Sequence, residues 1–121
     1  MAQATRLVTP AYPYVEVIFT IGAFRSPPIL AYVDSGFDGY LLAPAAEATL
    51  LGPSQFSTSW ELGDGSGVQA QEYRGEIEVS GLSLLIPARS TYLGEKYLLG
   101  RGIVDRLRMT FDRGQRLILE I

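Results

Sequence analysis

The fold is decided by the stretch Tyr32-Val33-Asp34-Ser35-Gly36-Phe37-Asp38-Gly39-Tyr40-Leu41-Leu42. An apolar strand runs directly into an acid, a hydroxyl and a glycine, and apolar sequence then resumes. A carboxylate at the end of a buried strand is costly unless hydrogen bonds or an ionic partner satisfy it. The serine can bond nearby backbone, and the glycine lets the chain turn sharply. Because Asp-Ser-Gly is also typical of an ordinary turn, the rest of the chain must decide between a turn and a reactive carboxylate.

Strand patterns dominate on both sides of this stretch. Residues Tyr14–Thr20 are rich in β-branched and aromatic side chains, and Ile29–Val33 is a second apolar run of strand length. The glycine-rich run Gly63–Gly67 lies between two further strands and predicts a long hairpin with a flexible tip. The remaining predicted strands are 59–62, 68–79, 82–86 and 116–121.

Helical signals are few. Residues Pro44–Leu51 begin with proline, have an alanine-rich middle and are followed by glycine, which predicts one short helix. A second short helix is predicted at Ile103–Leu107, after Gly102. The length of 121 residues predicts a single domain, 1–121, because a second core would need more chain. The expected fold class is therefore all-β with one or two short helices.

The composition excludes several classes of enzyme. The chain contains no cysteine and no histidine. Disulfides, thiol catalysis, zinc–thiolate sites and triads that use imidazole as the base are therefore excluded. No metal site and no organic cofactor are indicated. An enzyme with this composition would use carboxylates as its acid and its base.

The charge balance narrows the expected partners. The formal net charge is −3, and Lys96 is the single lysine. Arg101, Arg106 and Arg108 lie among acidic residues, which is typical of a solvated surface rather than of a track for phosphates, so no nucleic acid is expected. No apolar run approaches the ~20 residues of a membrane span, and the first ten residues do not resemble a signal peptide. We therefore expect a soluble, cytoplasmic protein with no membrane partner.

Two motifs in the right order resemble one protein family. Val33–Phe37, preceded by an apolar strand, resembles the Asp-Thr/Ser-Gly signature of aspartic proteases. Tyr97–Val104 is similar to the retropepsin segment in which two apolar residues precede Gly-Arg and a short helix follows. The glycine-tipped hairpin lies between them, where the family has its flap. Residues Tyr14–Ile121 thus resemble a retropepsin-like aspartic protease, especially the single-domain type of bacteria and archaea with Phe after Asp-Ser-Gly.

The resemblance implies a fold and a set of roles. The fold would be the acid-protease closed barrel or sandwich, with one lobe per chain. Asp34 would be the catalytic aspartate, Ser35 would help to hold two such loops together, and Gly36 would bind substrate through its backbone. Asp38 and Arg101 match two positions that commonly form an ion pair bracing the active-site loop, so the resemblance predicts that pair.

Further residues take expected roles from the same resemblance. Phe37 stands where retroviral enzymes have alanine and is expected to narrow the adjacent subsite. The residues expected to pack beneath the loop as its support are Leu98, Leu99, Gly100 and Arg101. The residues expected to form a substrate-binding flap with a polar tip are Gly63, Asp64, Gly65, Ser66 and Gly67.

The expected mechanism requires a second chain. Aspartic-protease chemistry uses two carboxylates that share a proton, and this sequence contains Asp-Ser/Thr-Gly only once. The second Asp34 would come from the other protomer of a homodimer. The apolar strand Leu117–Ile121 is expected to pair with its symmetry mate or with the partner's N-terminus; the alternative is an ordinary core strand. The expected activity is that of an aspartic endopeptidase acting on an extended polypeptide.

Three other functional hypotheses remain as alternatives. The first is a catalytically silent member of the same fold that serves as a dimerisation or peptide-binding module. The second is a Ser–Lys hydrolase using Lys96, which no flanking pattern supports. The third is a phosphate-binding loop at Gly63–Gly67, but this run lacks the Gly-Lys-Ser/Thr ending, contains an acid and is not followed by a helical pattern.

Overall fold

A closed barrel of β-strands forms the centre of the chain. The computed structural model describes residues 4–121. The first three residues of the predicted domain 1–121 lie outside the described residues, and they are also the start of the segment that was compared with a signal peptide. The elements in chain order are β1 (Arg6–Thr9), β2 (Tyr14–Ile21), β3 (Phe24–Arg25), β4 (Ile29–Val33), β5 (Leu41–Ala43), a 3₁₀ helix (Ala45–Leu50), β6 (Phe56–Glu61), β7 (Gly67–Val79), β8 (Leu85–Tyr92), β9 (Leu98–Leu99), α1 (Arg101–Val104), β10 (Arg108–Asp112) and β11 (Arg116–Glu120). The predicted fold class, mostly β with two short helices, is confirmed.

The barrel closes because β2 has partners on both of its edges. The strand order is β2-β4-β9-β5-β8-β7, and β7 pairs with β2 again. Two of these contacts, β4 with β9 and β5 with β8, are parallel, and the others are antiparallel. β3 extends the sheet beside β2, and β6 extends it beside β7. The β6–β7 hairpin is the one predicted around the glycine-rich run.

Alternation along the strands fills the barrel with aliphatic side chains. In β2 the odd-numbered residues Val15, Val17 and Phe19 are buried, as a period of two requires. A strand with this pattern has its register fixed, because a slip of one residue would turn its buried set to solvent. Their partners in the core are Ala31, Val33, Leu41, Ile77, Val79, Ile86, Leu99 and Ile103.

The C-terminal strand lies in a separate three-stranded sheet. The order of this sheet is β1-β11-β10, and both contacts of β11 are antiparallel. Leu117 and Leu119 are fully buried in the same core as the barrel. The expectation that Leu117–Ile121 pairs with a symmetry mate or with the partner's N-terminus is therefore wrong, since strands of the same chain occupy both edges of β11.

The predicted strand 82–86 is displaced in the structure. A turn at Gly81, which has a φ of 85°, carries the chain from β7 through Leu82–Leu84 before β8 begins at Leu85. β8 then continues to Tyr92 despite containing Pro87. Proline usually argues against a paired strand because it lacks an N–H donor, so the sequence pattern ended this strand too early.

Both helices differ in detail from their predicted forms. The segment predicted at Pro44–Leu51 is a 3₁₀ helix, Ala45–Leu50, and Tyr73 donates its hydroxyl hydrogen bond to the carbonyl of Gly52 just beyond it. The helix predicted at Ile103–Leu107 begins earlier, at Arg101, and ends at Val104. Neither helix within residues 4–121 has the length or the apolar character that crossing a bilayer would need.

Candidate active site

Asp34 lies directly after β4, where the chain leaves the barrel and turns. Its backbone N–H donates to the carbonyl of Leu99 at 3.0 Å, which extends the β4–β9 pairing by one residue. Its Oδ1 accepts a hydrogen bond of 2.9 Å from the N–H of Gly36. The Asp34 side chain is half-buried, whereas Ser35 and Gly36 are exposed. A buried strand thus presents a fixed carboxylate at the surface.

The start of helix α1 holds the rest of this loop. Successive backbone N–H groups before and within the first turn would have no partner inside the helix itself. Here they donate to carbonyl groups of the Asp34 loop: Gly100 to Tyr40 (2.8 Å), Arg101 to Phe37 (2.8 Å) and Gly102 to Gly39 (3.0 Å). This pairing explains why the helix begins at Arg101, earlier than its sequence pattern indicated.

The contact between loop and helix leaves no room for side chains at two glycines. A Cβ atom at Gly100 would lie 2.2 Å from the carbonyl oxygen of Gly39 and 2.5 Å from the ring of Phe37. A Cβ atom at Gly39 would lie 2.4 Å from the same ring. Gly100, predicted as a support of the loop, is therefore required by a close approach of two backbones.

The other predicted support residues lie on β9. Leu99 is fully buried in the barrel and accepts the hydrogen bond from Asp34 described above. Leu98 pairs with Tyr32 of β4, and both residues line a groove on the outer face of the sheet, away from the core. Only Leu99 thus lies in the core beneath the Asp34 loop.

The expected ion pair between Asp38 and Arg101 is present. Asp38 Oδ1 lies 3.5 Å from Arg101 Nη1, and Asp105 Oδ2 lies 3.4 Å from Arg101 Nη2. The Asp38 side chain is 79% exposed and the Arg101 side chain 53% exposed. Water screens charges at such positions, so this pair contributes little beside the three backbone hydrogen bonds at the helix start.

An apolar groove of about 700 Å³ begins two residues before Asp34, at Tyr32. The rings of Tyr14 and Tyr32 meet edge to face, with 5.7 Å between their centroids. The other lining residues are Leu30, Pro44, Glu95, Lys96, Tyr97 and Leu98. The sequence patterns placed Tyr14, Leu30 and Tyr32 on strands but did not predict that their outward-facing side chains line a groove.

Tyr97 connects this groove to the 3₁₀ helix. Its hydroxyl donates a hydrogen bond to Oε1 of Glu47. Burial, followed by the hydrogen bond to the Glu47 carboxylate, raises the pKa of Tyr97 well above its usual range, so its hydroxyl stays protonated as a donor. The carbonyl of Tyr97 accepts the N–H of Tyr32 at 3.0 Å, so the segment is also bonded to β4.

The hairpin tip is closed by its own polar side chains. Asp64 Oδ1 accepts hydrogen bonds from the Ser66 hydroxyl (2.6 Å) and from the Ser66 N–H (2.9 Å). The side-chain bond, followed by the backbone bond, lowers the pKa of Asp64 below its ordinary value. Added Cβ atoms at Gly63, Gly65 and Gly67 would meet only open space. Within residues 4–121, no hydrogen bond or ion pair joins this tip to the Asp34 loop.

The hairpin meets the loop nearer its base, through two aromatic rings. The centroids of Trp60 on β6 and Phe37 are 5.2 Å apart. Phe37 is only 9% exposed, and its ring also lies against Gly39 and Gly100. Phe37 therefore packs the loop against the helix and the hairpin, which corrects the expectation that it narrows an open subsite.

The sequence patterns also missed Glu72, a buried carboxylate on β7 whose partners include the Trp60 indole. Within residues 4–121, no cluster of three or more aspartate or glutamate side chains is arranged so that it could bind a metal ion. The site within one chain therefore consists of one fixed aspartate, its backbone cradle, an apolar groove and a hairpin.

Comparisons with known proteins support this fold. No protein-family model matches the chain, and no curated protein matches its sequence. Among solved structures, it is similar to the crystal structure of a retropepsin-like aspartic protease from Rickettsia conorii, with a TM-score of 0.63. The match covers 98% of this chain and 94% of that chain at 14% sequence identity. The chain therefore has a retropepsin-like fold.

The close approach at Gly100 predicts a large loss of stability on substitution. Gly100→Ala should lower the free energy of unfolding by about 3 kcal/mol, the upper end for overpacking, because the new methyl group meets backbone atoms that cannot move aside. Denaturant unfolding would measure this loss. Gly63→Ala is the matched control and should change stability by less than about 0.5 kcal/mol, since its site is open. Equal losses in the two variants would contradict the close packing of the loop on the helix.

The exposed ion pair predicts a small but measurable coupling. Asp38→Ala and Arg101→Ala should be non-additive, with a coupling energy of about 0.2–1 kcal/mol, because solvent screens both charges. A double-mutant cycle on the free energy of unfolding measures it, and repeating the cycle in high salt should shrink it. Strictly additive losses at low salt would contradict the prediction that the Asp38–Arg101 pair stabilises the loop.

Proposed function

We propose that this chain is an aspartic endopeptidase that acts as a homodimer, with one Asp34 from each copy. The observation that carries the proposal is the half-buried Asp34 in a retropepsin-like fold: its carboxylate accepts a hydrogen bond from the Gly36 N–H, and its backbone N–H donates to the carbonyl of Leu99. An ordinary turn would not need a neighbouring helix that donates three backbone N–H groups to it, those of Gly100, Arg101 and Gly102. The rigid loop is the kind of support that a reacting group requires.

The chemistry proposed for the two carboxylates depends on their closeness. Like charges about 3 Å apart cannot both ionise easily, so the pair holds one proton over a range of pH. The ionised carboxylate takes a proton from a water molecule, which attacks the carbonyl carbon of the peptide bond. The protonated carboxylate gives its proton to the carbonyl oxygen. The carboxyl group that took the proton from water then passes it to the nitrogen, while the other carboxylate takes one back from a hydroxyl of the tetrahedral intermediate. The carbon–nitrogen bond breaks to release an amine and a carboxylic acid, the pair again holds one proton, and neither a metal nor a cofactor is needed.

The exposed face of the Asp34 loop supports the proposed dimer. Ser35 and Gly36 are exposed, so a second copy could approach the loop about a two-fold axis without displacing core residues. β11 is already paired on both edges, so added strand pairing would have to use the outer edges of β1 or β10. Exposed Val8 and Phe111 lie on these two strands.

An extended polypeptide is the proposed substrate. The groove at Tyr14 and Tyr32 would take an apolar side chain beside the reacting peptide bond. The β6–β7 hairpin would cover the bound chain and exclude water. Its tip is polar and closed by Asp64 and Ser66, so it would contact substrate backbone rather than bury an apolar side chain.

Cleavage of an unstructured protein tests the proposed activity. The wild-type chain should cut between about pH 3 and pH 7, the range in which a carboxylate pair shares one proton. Asp34→Asn should reduce the rate by about 10²- to 10⁴-fold, because an amide can neither accept nor supply the proton. Mass spectrometry of the products measures both rates. Equal cutting by the two proteins would contradict the proposal, and no cutting by either would favour a silent dimerisation or peptide-binding module.

Mixing the same two proteins tests whether each copy supplies one aspartate. Sedimentation should show a dimer at micromolar concentration, and a strict monomer would contradict the mechanism. After exchange with a three-fold excess of Asp34→Asn chains, wild-type activity should fall to roughly a quarter, since most wild-type chains then have an inactive partner. Activity that stays constant on mixing, in a chain shown to exchange, would mean that a single copy is sufficient.

A further inference from the structure

Glu72 is a buried acid that the proposed mechanism does not use. It lies on β7, where the hairpin leaves the barrel, and it is 3% exposed. Within residues 4–121 it is the one charged side chain in the buried set. A carboxylate is seldom buried without donors, because removal from water disfavours its charge strongly. Its surroundings should therefore explain its position.

Three side chains donate hydrogen bonds to this carboxylate. Oε2 accepts the Trp60 indole Nε1–H and the Thr91 hydroxyl, both at 2.8 Å, and Oε1 accepts the Thr58 hydroxyl at 3.0 Å. Bonds of this kind to an ionised acceptor are stronger than bonds between neutral groups. The donors belong to β6 and β8, which lie on either side of β7. Glu72 thus ties the first strand of the hairpin to the barrel.

Positive charge beside Glu72 offsets part of the cost of its burial. Arg89 Nη1 lies 3.7 Å from Glu72 Oε1. The Arg89 guanidinium is itself held over the Phe56 ring, 4.2 Å from its centroid. The cation–π contact keeps the charge near the carboxylate although the Arg89 side chain is 43% exposed.

Trp60 passes this constraint to the Asp34 loop. The indole N–H is bonded to Glu72, and the indole ring packs on Phe37, three residues after Asp34. A cavity of about 390 Å³ lies at this junction. Its lining residues are Asp38, Gly39, Tyr40, Thr58, Trp60, Glu72, Arg89 and Thr91. The indole therefore contacts the Asp34 loop through Phe37 and also lines this cavity.

We propose that Glu72 is a positioning residue, whose carboxylate fixes Trp60 on Phe37 and so holds the hairpin at the correct distance over the Asp34 loop. The role rests on the proposed peptidase function, because it concerns how the hairpin meets the bound polypeptide. Glu72 touches no reacting atom. Without its carboxylate, the indole loses its acceptor and the hairpin base is no longer fixed relative to the loop.

The single tryptophan of the chain gives a readout that does not require catalysis. Glu72→Ala should shift the fluorescence emission of Trp60 to longer wavelength, since an indole released from Glu72 and Phe37 becomes more exposed to water. Glu72→Gln should keep the wild-type emission, because the amide oxygen can accept from both Trp60 and Thr91. Glu76→Ala is the matched control: Glu76 is on the same strand but exposed, and it should change nothing.

Steady-state cleavage of a peptide substrate supplies the second readout. Glu72→Ala should raise KM about tenfold with kcat nearly unchanged, because a misplaced hairpin weakens binding of the polypeptide. Glu72→Gln and Glu76→Ala should both keep KM within about twofold of the wild type. A merely structural role for Glu72 would reduce the amount of folded enzyme and so lower the apparent kcat at constant KM. Should Glu72→Ala not fold, Trp60→Phe keeps a ring on Phe37, removes the N–H donor and should raise KM in the same way.

The outcomes separate this role from the proposed function. A wild-type chain that cleaves no polypeptide overturns both. A wild-type chain that cleaves, with Glu72→Ala retaining its KM and its emission, overturns the positioning role alone. A lower apparent kcat at constant KM also overturns it. A red-shifted emission with a raised KM, rescued by Glu72→Gln, supports it.

Discussion

The pairing of the Asp34 loop with the first N–H groups of helix α1 is the contact on which the site depends. A helix of four residues has only a few internal hydrogen bonds to stabilise it, and a loop with exposed Ser35 and Gly36 has little side-chain packing at these two residues. Each supplies what the other lacks, because the loop carbonyls accept the N–H groups that the helix cannot satisfy itself. The close approach needed for these bonds requires glycine at position 100, and the Phe37 ring packed within the loop requires glycine at position 39. Short sequence motifs on both sides of the contact therefore constrain each other.

The sequence predicted what is local and missed what depends on distant partners. Their β-branched, aromatic and apolar content identified Tyr14–Thr20, nearly the whole of β2, and Ile29–Val33, and the glycine run located the hairpin tip, since each signal is contained in a few residues. β10 has a largely polar sequence and is a strand only because β11 pairs with it. The pairing of β11 within its own chain was also out of reach, because an apolar strand carries no mark of its partner. The three donors to Glu72 likewise come from strands that the sequence alone cannot bring together.

The face of β7 that is buried changes part of the way along the strand. Ala70 and Glu72 are buried on one face, whereas Tyr73, Ile77 and Val79 are buried on the other. The phase of the alternation shifts between Glu72 and Tyr73, where the strand passes from the hairpin into the barrel. The adjacent buried residues belong to two different interiors: the polar cluster beneath the hairpin, and the tyrosine packing around the 3₁₀ helix. A sequence pattern that assumes one inner face per strand cannot represent this change.

The three-stranded sheet has a consequence for how the chain is made. Its central strand, Arg116–Glu120, is synthesised more than a hundred residues after its neighbour Arg6–Thr9, with which it pairs directly. Closure of the barrel through β2 and β7 also joins residues about sixty positions apart. Contacts of such long sequence separation slow folding, because much chain entropy is lost before they form. During synthesis, β1 therefore cannot form its pairing with β11 until residues 116–120 have been made, so the three-stranded sheet forms after the strands of the barrel are already available.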